Sequence, residues 1–165
     1  MSQAAPFALT GLFSRGGLSN WVFFFDDQLT MIDVGMAPAI KAGMQAAVLG
    51  QFGAAGVGVL STLSYGPQAD GTKALRQWSA ELRAKAKNIV ELQDGQIGKV
   101  QLKMNMMGHE LFITERDGVA KMFGLMNREQ AETAAEPLTQ NFGPRFELLK
   151  TPVFEFFERH APFLL

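Results

Sequence analysis

The sequence contains no cysteine, one tyrosine and two histidines in 165 residues. Without cysteine there is no disulfide framework, no thiolate nucleophile and no thiolate metal ligand. His109 and His160 lie far apart in sequence, and alternation along a strand sends His109 and Glu110 to opposite faces. A metal centre needs several convergent ligands, and the chain shows no such grouping, so neither metal nor cofactor is expected. Charge is scarce as well: 19% of residues are charged, against about a quarter in ordinary domains. The net charge of −1 lacks the basic excess of a general nucleic-acid binder, and no nucleic-acid partner is expected. Catalytic signatures are missing too. Gly53-Ala54-Ala55-Gly56-Val57-Gly58 is glycine-rich but is not followed by the Lys-Ser/Thr of a phosphate loop, and no G-x-S-x-G occurs. Asp26, Asp27 and Asp33 read as turn chemistry rather than a catalytic dyad. No catalytic residue is assigned. The segment Met1–Pro6 has neither a basic region nor an apolar core of a secretory leader. That predicts a cytoplasmic protein, free or peripheral to the inner membrane face.

Apolar residues and glycine are abundant: 47% of the chain is hydrophobic and 17 residues are glycine. The length suits one domain spanning 1–165 with a substantial core. The stretch Ala42–Ala69 concentrates both features, with 28 uncharged residues that include six glycines. Met36, Ile40, Met44 and Ala47 follow helical spacing, and Pro38 suits a first turn, so a helix is expected to enter it. On a helix, Gly43, Gly50, Gly53 and Gly56 would leave a bare strip for close backbone approach. Three readings remain open: a small-residue helix or helical hairpin packed on the sheet, a membrane-inserted or self-associating segment, or a mobile loop. Self-association through this strip would make the protein a homo-oligomer.

Around this stretch the pattern is mostly that of strands. Phe7–Phe13 is a short apolar run, and Ser14-Arg15-Gly16-Gly17 is a turn. Arg15 with the amides of Gly16 and Gly17 could receive an anion. Asn20–Phe25 and Leu29–Val34 flank Asp26-Asp27-Gln28 as a hairpin. The consecutive Phe23, Phe24 and Phe25 imply either a strand buried on both faces or an exposed aromatic patch. Asp70 or Thr72 can cap a helix whose stripe is Leu75, Trp78, Leu82 and Ala86. Its other face carries Lys73, Arg76, Arg83, Lys85 and Lys87 against the single Glu81. With Trp78 these cations form a candidate contact for an anionic membrane or a protein partner; an ordinary surface helix with a core-facing tryptophan is the alternative. The expected helical insertion thus covers about 35–87. Strands follow at Asn88–Leu92, Ile97–Met104, His109–Glu115 and Val119–Met126, the last two around Arg116-Asp117-Gly118. Asn127 caps an expected helix over Arg128–Gln140 that Pro137 should shorten or kink, with Gly143-Pro144 closing it. After a short extended piece at Phe146–Leu149, Thr151-Pro152 opens a last helix, docked by Phe154, Phe157 and Phe163.

The hairpin NWVFFFDDQLTMIDVG and the block HELFITERDGVAKMFGLMNREQAETAAEPL resemble bacterial pleckstrin-homology-like (PH-like) domains, over about 60 of 165 residues. The resemblance implies an α+β fold: a bent antiparallel sheet or partly open barrel, closed at one end by the helix near Arg128–Gln140, with C-terminal helices. It also implies a non-catalytic binding or scaffolding role, toward a protein partner or a membrane. A soluble ligand- or headgroup-binding domain and a self-assembling structural protein are the other readings. The chain departs from the family in its insertion after Val34 and in the acidic turn Asp26-Asp27.

Overall fold

The computed structural model describes residues 5–14, 19–35, 58–61, 68–125 and 128–165. β1 (Phe7–Ser14), β2 (Asn20–Phe25) and β3 (Gln28–Gly35) make an antiparallel meander rich in aromatic and β-branched residues. β4 (Gly58–Ser61) follows, then α1 (Gln68–Arg83) and β5 (Asn88–Gln93), which pairs with β3. A second meander contains β6 (Ile97–Asn105), β7 (Gly108–Glu115) and β8 (Ala120–Leu125). The chain ends with α2 (Arg128–Phe142), β9 (Phe146–Lys150) and α3 (Pro152–His160).

The strands run in the order β5-β3-β2-β1-β8-β7-β6-β9, with β4 beside β1 off this path. Five strands lie between β5 and β6 on that path, yet only the three residues Asp94–Gln96 join them in sequence. The sheet therefore curls strongly, and it stays unclosed. β1 sits at the seam. One of its edges pairs with β2; the other pairs with β4 over Phe7–Thr10 and with β8 over Leu12–Ser14. The change of partner falls at Gly11, whose φ of 72° lies in the left-handed region that glycine tolerates.

The curled sheet has two buried faces. Inside it, Phe7, Phe23, Phe25, Met31, Leu102 and Leu111 pack against Ala134, Leu138 and Phe142 of α2 and Phe154 of α3. Outside it, Leu75, Trp78 and Leu82 of α1 cover Ala8, Val22, Phe24, Ile32 and Val34. β2 is thus buried on both sides, the first of the two readings of its three phenylalanines. The helix expected from the stripe at 75, 78 and 82 is present and uses that stripe as its docking face.

Several expectations are corrected. The sheet is mixed rather than antiparallel, because β9 runs parallel to β6. The insertion expected as helical over about 35–87 contains the strand Gly58–Ser61, whose backbone the open edge of β1 recruits. α1 starts at Gln68, so Asp70 occupies its first turn and neither Asp70 nor Thr72 is its cap. α2 runs through Pro137 to Phe142. Proline inside a helix costs about 3 kcal/mol, but Leu138 and Phe142, just beyond it, are buried in the core, and burying each such side chain returns about 1.5–3 kcal/mol. Phe154 docks α3 at 1% exposure, whereas Phe163 is 84% exposed. The tail turns through a 3-10 helix at Pro162–Leu164, and Leu165 reaches the core instead. The expected cap at Asn127 and the helix start at Met36–Ala47 lie outside the described residues.

Candidate functional site

A cavity of about 450 Å³ opens between the β2–β3 turn and α1. That volume is in the range of small-molecule sites. Its apolar lining includes Phe24 and Leu75 from the outer face; its rim is polar and charged.

Strand pairing builds one wall. In the β3–β5 register Gln28 stands opposite Gln93 and Thr30 opposite Glu91. Cross-strand partners share a face, here the outer one that α1 covers. The four side chains form a chain of hydrogen bonds. The Glu91 carboxylate (Oε1) accepts from Gln28 Nε2 at 2.9 Å and from Arg83 Nη2. Gln93 Nε2 donates to Gln28 Oε1. Arg83 Nη2 also donates to Thr30 Oγ1 at 3.1 Å.

Helix α1 builds the other wall. Arg76 and Arg83 are two turns apart on one flank of the helix, beside its buried stripe, and that flank leans over the turn. Arg76 grips Asp26 with two bonds, Nε to Oδ2 at 2.7 Å and Nη2 to Oδ1 at 3.1 Å. Its Nη2 also lies 3.6 Å from Asp27, whose side chain is 95% exposed. The hydrogen bond and charge of Asp26 raise the Arg76 pKa still further. The rim therefore carries Asp26, Asp27, Arg76 and Arg83, two anions and two cations, with Glu91 holding Arg83 from behind.

The expected cationic face of α1 is divided by this arrangement. Arg76 and Arg83 turn toward the sheet into ion pairs, whereas Lys73, Lys85 and Lys87 are exposed and form no ion pair among the described residues. Trp78 is corrected as a surface contact. It is 3% exposed and meets Phe24 edge to face, with ring centroids 5.1 Å apart. The strip Gly43, Gly50, Gly53 and Gly56 and the anion contact Arg15, Gly16 and Gly17 lie outside the described residues. Sequence reasoning missed Gln28, Thr30, Glu91 and Gln93. They alternate with Leu29, Met31, Val90 and Leu92, a period-two signal that places them on one face. The adjacency of β3 and β5 is a long-range pairing that no local pattern encodes.

No three of the described His, Asp and Glu residues converge as a metal site. Ser79 lines the cavity without a histidine beside it. No described helix is long and apolar enough to cross a membrane. Compared with protein-family models and with curated proteins, the chain matches none.

Proposed function

We propose that the protein is a non-catalytic binding module whose ligand seats in the cavity between the β2–β3 turn and α1. The observation that carries this reading is the rim: two guanidiniums held in place by carboxylates above an apolar floor. Arg76 and Arg83 keep N–H groups beyond those spent on Asp26, Thr30 and Glu91, and a planar guanidinium offers five donors. A small polar molecule, or a charged side chain presented by a protein partner, would exchange for one of these carboxylates and lay its apolar part on the floor. The bent sheet filled by α2 supports the PH-like affiliation, and a cysteine-free chain fits a cytoplasmic setting.

NMR shift mapping with small carboxylates, phosphate monoesters and amines tests the site. Perturbations should cluster on Thr30, Arg76, Arg83 and Gln93 and disappear in Arg83→Ala. A ligand at a hundred times its Kd would add about 2.7 kcal/mol of stability. Perturbations scattered over the surface, or unchanged in the variant, would remove the cavity as the binding site.

A second reading is favoured by Lys73 on α1 and by Lys85 and Lys87 in the turn that follows it, all exposed. Each cation near an anionic membrane contributes about 1 kcal/mol. Wild-type protein should then co-sediment with anionic vesicles at low salt and release as salt rises. Failure to bind at low salt ends the membrane reading without any mutant.

A further inference from the structure

Eleven large hydrophobic side chains are exposed among the described residues, and four of them fall on α3 and the turn that follows it: Val153, Phe156, Phe163 and Leu164. Such concentration marks an interaction surface rather than ordinary scatter. The surface is held in place. Thr151 caps α3 by accepting from the Phe154 amide at 3.3 Å, and Phe154 anchors the helix at 1% exposure. Beyond α3, the Leu164 amide donates to Ala161 O at 3.0 Å, and Leu165 packs on the core. Phe163 is therefore presented on an anchored turn. β9 ends the sheet, and its second edge pairs with no strand among the described residues.

We propose that this surface joins two copies of the chain, with their α3 helices packed antiparallel. The charges on α3 favour that occupant. Val153 and Phe156 are three residues apart on the exposed face of the helix. Glu155 and Arg159 lie four apart on one flank of that face, and among the described residues neither forms an ion pair within the chain. In an antiparallel pair like flanks meet. The register that sets Glu155 level with Arg159 of the second copy also brings the two Phe156 rings within about one residue rise of the two-fold axis. The interface then has an apolar centre and two complementary ion pairs at its border, the anatomy of a self-complementary twofold contact. The ligand cavity lies on other elements, so this assembly stands independently of the binding reading.

Sedimentation velocity across the micromolar range is the test. Wild type should dimerise. Phe156→Glu should raise the dimer dissociation constant by on the order of thirtyfold or more, as for a central hot spot. Phe163→Asp, at a side chain already in solvent, should weaken the dimer with an unchanged melting temperature, which guards against misfolding of the first variant. Arg159→Glu should weaken the dimer, and adding Glu155→Arg should restore it. A wild type that stays monomeric throughout overturns the proposal, including the case in which it pellets with neutral lipid vesicles instead. A dimer that survives both phenylalanine changes overturns the surface. A charge swap that fails to restore assembly overturns the antiparallel arrangement.

Discussion

Gly118 and His109 show how single positions set stability here. Gly118 has φ of 92°, and a side chain added there would meet nothing within 4 Å. Gly118→Val therefore incurs only the backbone penalty, about 1–2 kcal/mol, measured by denaturant unfolding. An unchanged midpoint would contradict the β7–β8 turn. This position was legible in the sequence, because Asp-Gly between alternating strands carries its own turn geometry. His109 was not legible as a buried group. It is 8% exposed, its Nδ1 has no hydrogen-bond partner among the described residues, and it meets Phe154 edge to face at 5.8 Å. Burial, and then the charge of Arg128, lowers its pKa, with Glu132 opposing. The unfolded imidazole binds a proton near pH 6.5, above the folded one. The unfolded state thus holds more protons in the window below that value, and stability should fall as pH drops through it. His109→Gln should flatten the slope in urea titrations below about pH 6.5. The carboxylates of Glu147 and Glu158, held low by Lys99 and Lys150, act at more acidic pH and do not blur the result.

For the elements, α1 separates packing from charge. Its stripe was readable because apolar residues at helical spacing must face something apolar. The destination of its arginines was not, because Asp26, in the turn 50 residues before Arg76, and Glu91, on the strand 8 residues after Arg83, come beneath the helix only through the fold. Trp78→Ala should cost about 3–5 kcal/mol, as for large core truncations. Arg76→Ala, at a side chain 59% exposed, should cost no more than about 1 kcal/mol. Equal losses in chemical denaturation would mean that the ion pairs dock the helix. The strands at 7–14, 20–25 and 28–35 were likewise legible from composition and turn residues. β4 was hidden, since it is short and is defined by a distant partner rather than by its own pattern, and β9 was legible as the extended piece Phe146–Leu149 while its parallel pairing with β6 was not.

For the whole molecule, the curl of the sheet depends on how tightly β5 is tied to β6. Arg145 clamps that link. It donates to Asp94 O at 3.0 Å, to Ile97 O at 3.1 Å and to Asp94 Oδ1 at 2.6 Å, and its guanidinium lies 5.6 Å from the Phe142 ring centre. Arg145→Lys keeps the charge but loses the fork, so it should destabilise nearly as much as Arg145→Ala, about 1–3 kcal/mol. Full rescue by lysine in thermal unfolding would reduce the clamp to simple charge attraction.

The seam at β1 has a consequence for synthesis. Leu12–Ser14 must pair with Phe123–Leu125, and Gln130 must reach back to the Thr10 carbonyl. A nascent chain can assemble β1, β2, β3, β5 and α1 as soon as they emerge, but the second edge of β1 at Leu12–Ser14 waits for residues more than a hundred positions downstream. Such distant pairing slows folding through the loop entropy that must be lost first. Until β8 arrives, the ribosome-bound protein carries an open edge on β1, and that edge is the point at which a growing chain is most exposed to wrong partners.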